Sequence, residues 1–223
     1  SRAGVSTAIA ENDGPIGAAV LARALTYGFN AIPVVLVDES IVDKTAAMIE
    51  RAGPNVLTQD QADIAVATPR YTSVTVVEAG VIDDSAARAQ AADLVERHKP
   101  KAVISIERAG MSADGTYRNM LGQDYSEGRA RLDYVIDEAK ARNIPTVGIG
   151  DGGNEIGMGN LRDEAASIDR LPDDPCVTTT TKLMVASVSN WGGLGLAAAL
   201  SIKKGENLLP SIETENGWVH ATY

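Results

Sequence analysis

The chain has 223 residues, 44% of them hydrophobic and 22% charged, and it carries a formal net charge of −10. This composition is typical of a globular protein, and the negative charge excludes a nucleic-acid groove, which needs a basic stripe to displace counterions from phosphates. A single cysteine, Cys176, excludes an intramolecular disulfide and a cysteine-based zinc site. No apolar run reaches the roughly 18 residues of a membrane span, so we expect no membrane partner.

Short β-branched runs alternate with longer amphipathic runs, which is the pattern of βα units. In chain order they predict a helix at 15–27, a strand at 31–37, a helix at 41–52, a strand at 72–79, a helix at 83–98, a strand at 101–107, a helix at 127–142, a strand at 144–150 and a short helix at 161–168. Towards the end, 176–181 is strand-like, 182–188 is ambiguous and 191–202 suits a helix.

These elements predict an α/β fold: a mostly parallel sheet with helices on both faces, as in a Rossmann-like three-layer sandwich. No repeat or linker interrupts the chain, so we expect a single domain over residues 1–223. The chain starts at Ser1 without a methionine and stops at Tyr223, which leaves room for native termini outside it.

Ligands of parallel α/β sheets bind outside the carboxyl ends of the strands. Three polar segments directly follow predicted strands: Asp38–Glu39, Glu107–Asp124 and Gly150–Asn160. We therefore expect their side chains to converge on one cleft.

The stretch "GIGDGGNEIGMGN", Gly148 to Asn160, contains six glycines and two carboxylates. Its GxGxxG match is weak evidence for a dinucleotide site, because Asp151 and Glu155 would face a pyrophosphate. One alternative is a tight turn whose carboxylates cap the next helix. A loop in which a ligand approaches the backbone accounts better for six glycines.

"ISIERAGMSADGTYRNM" places Glu107 and Arg108 at a strand end, followed by Asp114 and Tyr117. One interpretation is a solvated loop with a surface ion pair. The other is an amino-acid site, with Arg108 gripping a carboxylate and the acids holding an ammonium.

Two further segments lie next to predicted helix starts. Asn12 and Asp13 precede the first helix, where at least one of them would be the N-cap. Ser189, Asn190 and Trp191 precede a glycine-opened helix whose N–H groups could bind an anion, although Trp191 equally suits a core position.

With only two histidines, a Ser-His-Asp triad or a histidine-rich metal site is not expected. Proton transfer would use carboxylates, lysine or tyrosine. An all-oxygen Mg²⁺ or Mn²⁺ site remains open, with Asp13, Asp114, Asp151 and Glu155 as candidate ligands.

Taken together, "DGPIGA", "SIERAG", "ADGTY", "GDGGNEIGMG" and "SNWGG" resemble the C-terminal domain of the D-glutamate cyclase family, in order from Asp13 to about Leu200. Met111, where a basic residue would be expected, and the residues after Asn119 depart from that pattern. The resemblance implies a lyase that cyclises D-glutamate to 5-oxo-D-proline with loss of water. It also implies a mitochondrial-matrix location for an animal protein and a cytoplasmic one for a bacterial protein.

The chemistry of that reaction suggests roles for the residues. We expect Arg108 to bind the α-carboxylate, Asp151 or Glu155 to act as the base, and Glu107 as the acid. Backbone N–H groups of Gly152 and Gly153 would stabilise the oxyanion. The other expected substrate-binding residues are Asn154, Asp13, Asp114, Tyr117 and Asn190.

The expected partner is a small amino acid, and a homo-oligomer is compatible with the sequence. The alternative function is a non-catalytic amino-acid- or nucleotide-binding module that works with a separate hydro-lyase.

Overall fold

The computed structural model describes residues 13–68, 73–168, 175–214 and 217. Within them, parallel strands and helices alternate, which confirms the α/β class. The strands are β1 (Val34–Val37), β2 (Asn55–Leu57), β3 (Val74–Ala79), β4 (Val103–Ile106), β5 (Thr146–Gly150) and β6 (Lys182–Val185). The helices are α1 (Pro15–Phe29), α2 (Val42–Ala52), α3 (Gln59–Val66), α4 (Asp84–His98), α5 (Asp133–Ala141), α6 (Arg162–Ala166) and α7 (Ser189–Lys204).

The strands form two three-stranded parallel sheets, in the orders β1-β3-β2 and β4-β5-β6. In register, Val34 lies opposite Val76, and Val103 lies opposite Thr146. Because side chains alternate along a strand, Val35 and Ile104 reach one apolar cluster and Leu36 and Val103 reach another. Such sheets are covered by helices on both faces, which fits the β-branched composition of the strands.

The main core joins the two sheets. Helices α1, α2 and α7 pack over one face, where α1 contacts β3 and β4, and Val35, Val77 and Ile106 pack against the same apolar cluster. On the other face, α4 and α5 pack together, and Leu36 of β1 and Val103 of β4 contact the same apolar cluster. The free edges β1 and β4 therefore lie beside each other under shared helices.

Helices α1 and α7 approach each other closely because both have a glycine at the contact. A Cβ atom added to Gly193 would lie 2.7 Å from the Cα of Gly17, which no real side chain tolerates. This contact fixes the N-terminal ends of the two helices next to each other, at the carboxyl edge of β4. No helix among the described residues is both long and apolar enough to cross a membrane.

Most predicted elements are confirmed, two elements were not predicted, and two expectations are corrected. Strand β2 and helix α3 were not predicted, and the predicted helix at 127–142 begins only at Asp133, after Gly128 adopts a positive φ of 73°. In 176–181 only Thr179 pairs, in isolated bridges to Gly157 and Met158, so the segment is not a strand. The side chain of Thr178 donates to Asp133, and the side chain of Thr181 accepts the N–H of Thr146. The expected start of the second strand, at Thr72, lies outside the described residues.

Candidate functional site

The segments that follow β1, β4 and β5 do meet at one edge, as the strand order requires. Asp38 after β1 lies 2.9 Å from a guanidinium nitrogen of Arg108 after β4. The glycine loop after β5 contacts the same segment, since the N–H of Ile156 donates to the carbonyl of Arg108 at 2.7 Å. Two separate groups of acids occupy this edge, and they differ in how their charge is balanced.

The first group centres on buried Asp38. Its carboxylate accepts hydrogen bonds from Arg108, from Arg129 at 2.8 Å and from the N–H of Ala130 at 2.8 Å. Burial alone would raise the pKa of Asp38, but the hydrogen bond and charge of Arg108 outweigh it and the pKa is lowered. One guanidinium nitrogen of Arg108 is held by Asp38 and the carbonyl of Ala130, so Arg108 lies in the Asp38 group, and its role at a substrate carboxylate stays a prediction.

Tyr117 and Asp114 are also engaged elsewhere. Tyr117 is fully buried and its hydroxyl donates to Asp133 at 2.7 Å, so it anchors the loop instead of meeting a substrate. Asp114 is exposed and accepts from Arg118 and from the hydroxyl of Thr116, both at 2.6 Å. Hydrogen bonds from Thr116 and then Arg118 lower the pKa of Asp114 to about 2, so its charge is locally balanced.

The second group consists of Asp13, Glu107 and Asp151. One carboxylate oxygen from each lies within 4.8 Å of the others. Glu107 comes directly after β4 and has a positive φ of 50°, an uncommon conformation for a residue with a side chain. Gly14 makes the approach possible, since a Cβ there would lie 2.8 Å from the Cβ of Glu107. We call these three residues the acid cluster.

Two crossed helix caps position the acid cluster. Asp13 accepts the N–H groups of Ser189 and Asn190, at 3.1 and 2.8 Å, and so caps α7 rather than the helix that follows it in sequence. The side-chain oxygen of Asn190 in turn accepts the N–H groups of Gly14 and Gly17, at 2.9 and 2.8 Å. Asp13 therefore caps α7, and the N–H groups at the start of α7 bind a carboxylate of the chain itself. Asn12, the other expected cap of the first helix, lies outside the described residues.

Glu107 is the most strongly perturbed carboxyl of the cluster. Burial, with further contributions from the charges of Glu155, Asp151 and Asp13, raises its pKa to about 8, although the hydroxyl of Ser189 donates to it and opposes the rise. Glu107 is therefore largely protonated near neutral pH, as a general acid must be.

Asp151 and Glu155 form a hydrogen-bonded pair at the rim of the cluster. Burial is the main reason why the pKa of each is raised; the charge of Asp13 adds to the rise at Asp151, and the charge of Asp151 adds to the rise at Glu155. Asp151 is exposed and Glu155 is fully buried, so only Asp151 can meet a ligand directly. When two carboxylates share a proton, one can stay protonated while its neighbour accepts a proton.

The glycine loop holds Glu155 with its own backbone. The N–H groups of Gly152 and Gly153 each donate to a different oxygen of Glu155, at 2.9 Å. The expected oxyanion hole at these two glycines is therefore wrong for this structure, because both donors are already used inside the loop. Asn154 donates to the carbonyl of Arg118 at 3.0 Å and so ties the loop to the segment after β4.

Of the four candidate metal ligands, Asp13 and Asp151 belong to the acid cluster, whereas Asp114 and Glu155 do not. Glu107 is the third member of the acid cluster, and its position directly after a strand could have suggested it as a metal ligand. Ser189 was not predicted as a site residue, although its place one residue before Asn190 in the "SNWGG" motif was a usable signal. Trp191 proves to be exposed, so its core interpretation is wrong.

The fold and this strand edge define an α/β protein with a cluster of carboxylates at the carboxyl ends of its strands. The chain belongs to the family described as D-glutamate cyclase-like, C-terminal, whose sequence profile matches residues 4–223. It is 38% identical over 102 residues to the human protein named D-glutamate cyclase, mitochondrial. That match covers 45% of this chain and 17% of the human protein, so the chain corresponds to a small part of that relative.

Proposed function

We propose that this chain catalyses the cyclisation of D-glutamate to 5-oxo-D-proline, or a closely related ring closure of an amino acid. The observation that carries the proposal is the acid cluster beside the Asp151–Glu155 pair, which joins a raised-pKa acid and a proton-sharing pair at one strand edge. Membership of the D-glutamate cyclase-like family supports the same reaction.

The first role of the site would be to bind and deprotonate the α-ammonium. Asp151 is the exposed member of its pair, and the negative charge of the neighbouring acids attracts a cation. Asp151 accepts one proton from the ammonium, and Glu155 acts through Asp151 as a positioning residue. The amine is then a neutral nucleophile.

The second role would be to help the hydroxyl leave. The amine nitrogen attacks the γ-carboxyl carbon, a C–N bond forms, and the C–O bond to the departing hydroxyl breaks. Glu107 donates the proton that turns this hydroxyl into water. Two protons leave the nitrogen in all: Asp151 takes the first before the attack, and the second moves to a γ-carboxylate oxygen in the tetrahedral intermediate, which makes that oxygen the departing hydroxyl. Glu107 supplies the other proton of the water, and the proton held by Asp151 then passes to Glu107, which restores the starting state. Holding glutamate folded for this attack can contribute several kcal/mol, up to about 7–11 in favourable cases.

The carboxylates of D-glutamate would be repelled by the acid cluster unless a positive charge lies nearby. Both guanidinium groups of Arg108 and Arg129 are held by Asp38. We propose that Asp13, Glu107 and Asp151 can hold Mg²⁺ or Mn²⁺, since all-oxygen ligands suit these ions. Such an ion would supply positive charge to the γ-carboxyl group, in place of the proton on Glu107.

The decisive experiment uses the purified chain alone. It is incubated with D-glutamate or L-glutamate, with EDTA or with added Mn²⁺, and 5-oxoproline is measured by chiral chromatography. We expect D-specific product, and we expect Asp151→Asn and Glu107→Gln to lower kcat about a hundredfold or more, as is usual for loss of an acid or base. Asp114→Asn is the matched control, because it removes an exposed carboxylate outside the cluster.

Two results would overturn the proposal. One is wild-type turnover by folded Asp151→Asn and Glu107→Gln variants. The other is D-glutamate binding, seen by calorimetry, without any product under either metal condition, which would favour the binding-module alternative. Loss of turnover in EDTA with recovery in Mn²⁺ would assign the metal to the reaction, whereas equal rates in both would leave Glu107 as the acid.

A further inference from the structure

One face of α7 exposes an apolar stripe. Trp191 is 63% exposed and Ile202 is 84% exposed, with the exposed small residues Gly195 and Ala199 between them. From Ser189 to Ile202 the helix has no charged residue, although the chain as a whole has a net charge of −10. Large exposed apolar residues grouped on one face mark an interaction surface more often than scattered ones do.

The far end of the same stripe borders a groove. The groove is shallow and mostly apolar, has a volume of about 410 Å³, and is lined by Ala198, Ile202 and Leu209 together with the polar residues Ser201, Glu206 and Asn207. Trp191 and Ile202 are eleven positions apart, which is about 16 Å along the axis and about three full turns of helix. A projecting indole and an apolar groove therefore lie on one line, at opposite ends of one surface.

We propose that this surface, Trp191 to Ile202 with the adjoining groove, binds a second copy of the chain through a twofold axis. In an antiparallel pairing of two α7 helices, Trp191 of each copy enters the groove beside Ile202 of the other. In a twofold interface the same surface is used by both copies, so the contact between Trp191 of one copy and the groove of the other is formed twice. Gly195 and Ala199 lie at the centre, where small side chains allow the helices to approach.

Charge supports the same register. When Trp191 lies opposite Ile202 of the second copy, Asn190 lies opposite its Lys203. The C-terminal end of α7 carries Lys203 and Lys204, and the N-terminal end is capped by the carboxylate of Asp13 with exposed Asp151 nearby. Antiparallel pairing thus brings a basic end next to an acidic end twice, whereas parallel pairing would bring like charges together.

Sedimentation velocity of the full chain from low to high micromolar concentration tests the pairing. We expect a monomer–dimer equilibrium in the wild type. Trp191→Glu and Ile202→Glu should each raise the dimer dissociation constant at least about thirtyfold, as for an interface hot spot. Ile64→Glu is the matched control, because Ile64 is also an exposed apolar residue but lies on α3. Circular dichroism verifies that every variant is folded.

Tryptophan fluorescence gives a second measurement that does not depend on a disruptive variant. The chain has two tryptophans, so in the Trp218→Phe variant Trp191 is the only tryptophan, and excitation at the red edge of tryptophan absorption reports on it alone. Its emission should shift to shorter wavelength as concentration rises, because the indole leaves water.

Three outcomes would overturn the proposal. The first is a wild-type monomer at every concentration with unshifted Trp191 emission. The second is a dimer that folded Trp191→Glu leaves unchanged. The third is a chain that stays monomeric while its Trp191 emission shifts only when a different polypeptide is added, which would assign the surface to another protein.

Discussion

Two groups of acids lie at the same edge of this fold, and their surroundings shift their pKa values in opposite directions. Asp38 is buried between Arg108 and Arg129 and its pKa is lowered. Glu107 is half-buried among other acids and its pKa is raised to about 8. The same type of side chain is therefore held as a carboxylate where cations balance its charge and takes up a proton more readily where other carboxylates surround it.

Arg108, the more obvious functional residue, lies outside the acid cluster. Arg108 follows Glu107 directly, yet the two side chains belong to different groups because successive residues at a strand end point in opposite directions. Arg108 points towards β1 and Asp38, whereas Glu107 points towards the starts of α1 and α7. Perturbed pKa values in a cluster of carboxylates, rather than the presence of an arginine, mark the candidate site.

The largest effect should come from breaking the balanced group. Asp38→Asn leaves two guanidinium groups without their buried carboxylate, and we expect it to lower the free energy of unfolding by about 3–5 kcal/mol. Urea unfolding followed by circular dichroism measures the change. A loss below about 1 kcal/mol would show that the two arginines find water or other acceptors and that the group is not structural.

A smaller effect is expected at Glu155, the buried partner of Asp151. Glu155→Gln keeps the shape but turns one acceptor oxygen into an NH₂ group, which must face the N–H of Gly152 or Gly153. We expect a loss of about 1–3 kcal/mol in the free energy of unfolding, the cost of an unsatisfied buried donor. Glu164→Gln on exposed α6 is the control. Equal stability of the two variants would contradict the assigned hydrogen bonds.

The pH dependence of stability should report Glu107. Because its pKa is raised from 4.5 to about 8, the folded chain keeps a proton that the unfolded chain releases. Its contribution is fully present below about pH 4.5 and is lost as the pH rises through about 8. Discounted for solvent that reaches this half-buried group, the change is about 1 kcal/mol.

The measurement is the urea midpoint of the wild type and of Glu107→Gln at several pH values across that interval, in EDTA. We expect the wild-type midpoint to fall with pH more steeply than the midpoint of the variant. Parallel pH profiles would mean that the carboxyl group of Glu107 titrates alike in the folded and unfolded chains.

The smallest effect is expected at Asp114, whose ion pair with Arg118 is exposed. Asp114→Asn should leave the urea midpoint unchanged, since exposed ion pairs contribute little. The loss of stability in this variant can be compared directly with the loss in Asp38→Asn, because both variants remove a carboxylate paired with arginine. A clear loss of stability would show that the loop after β4 depends on this contact.

Much of the fold followed from local pattern. The β-branched runs at β1, β3, β4 and β5 and the amphipathic runs at α1, α2 and α4 are long enough to show their periods. Strand β2 has three residues and helix α3 has eight, which are too short for a clear period. The segment 182–188 was ambiguous because "KLMV" suits either state, and pairing with β5 made it a strand.

The sequence by itself determined the class of fold, the family and the place of the acidic glycine loop at a strand end. Only the tertiary structure decided which acids meet. Asp13 and Asn190 are 177 positions apart, and they cap each other's helices because Gly17 and Gly193 let α1 and α7 pack closely. Arg108 and Tyr117 were assigned to a ligand by their chemistry, but buried Asp38 and Asp133 bind them first, since a buried charge or hydroxyl must find a partner inside the fold.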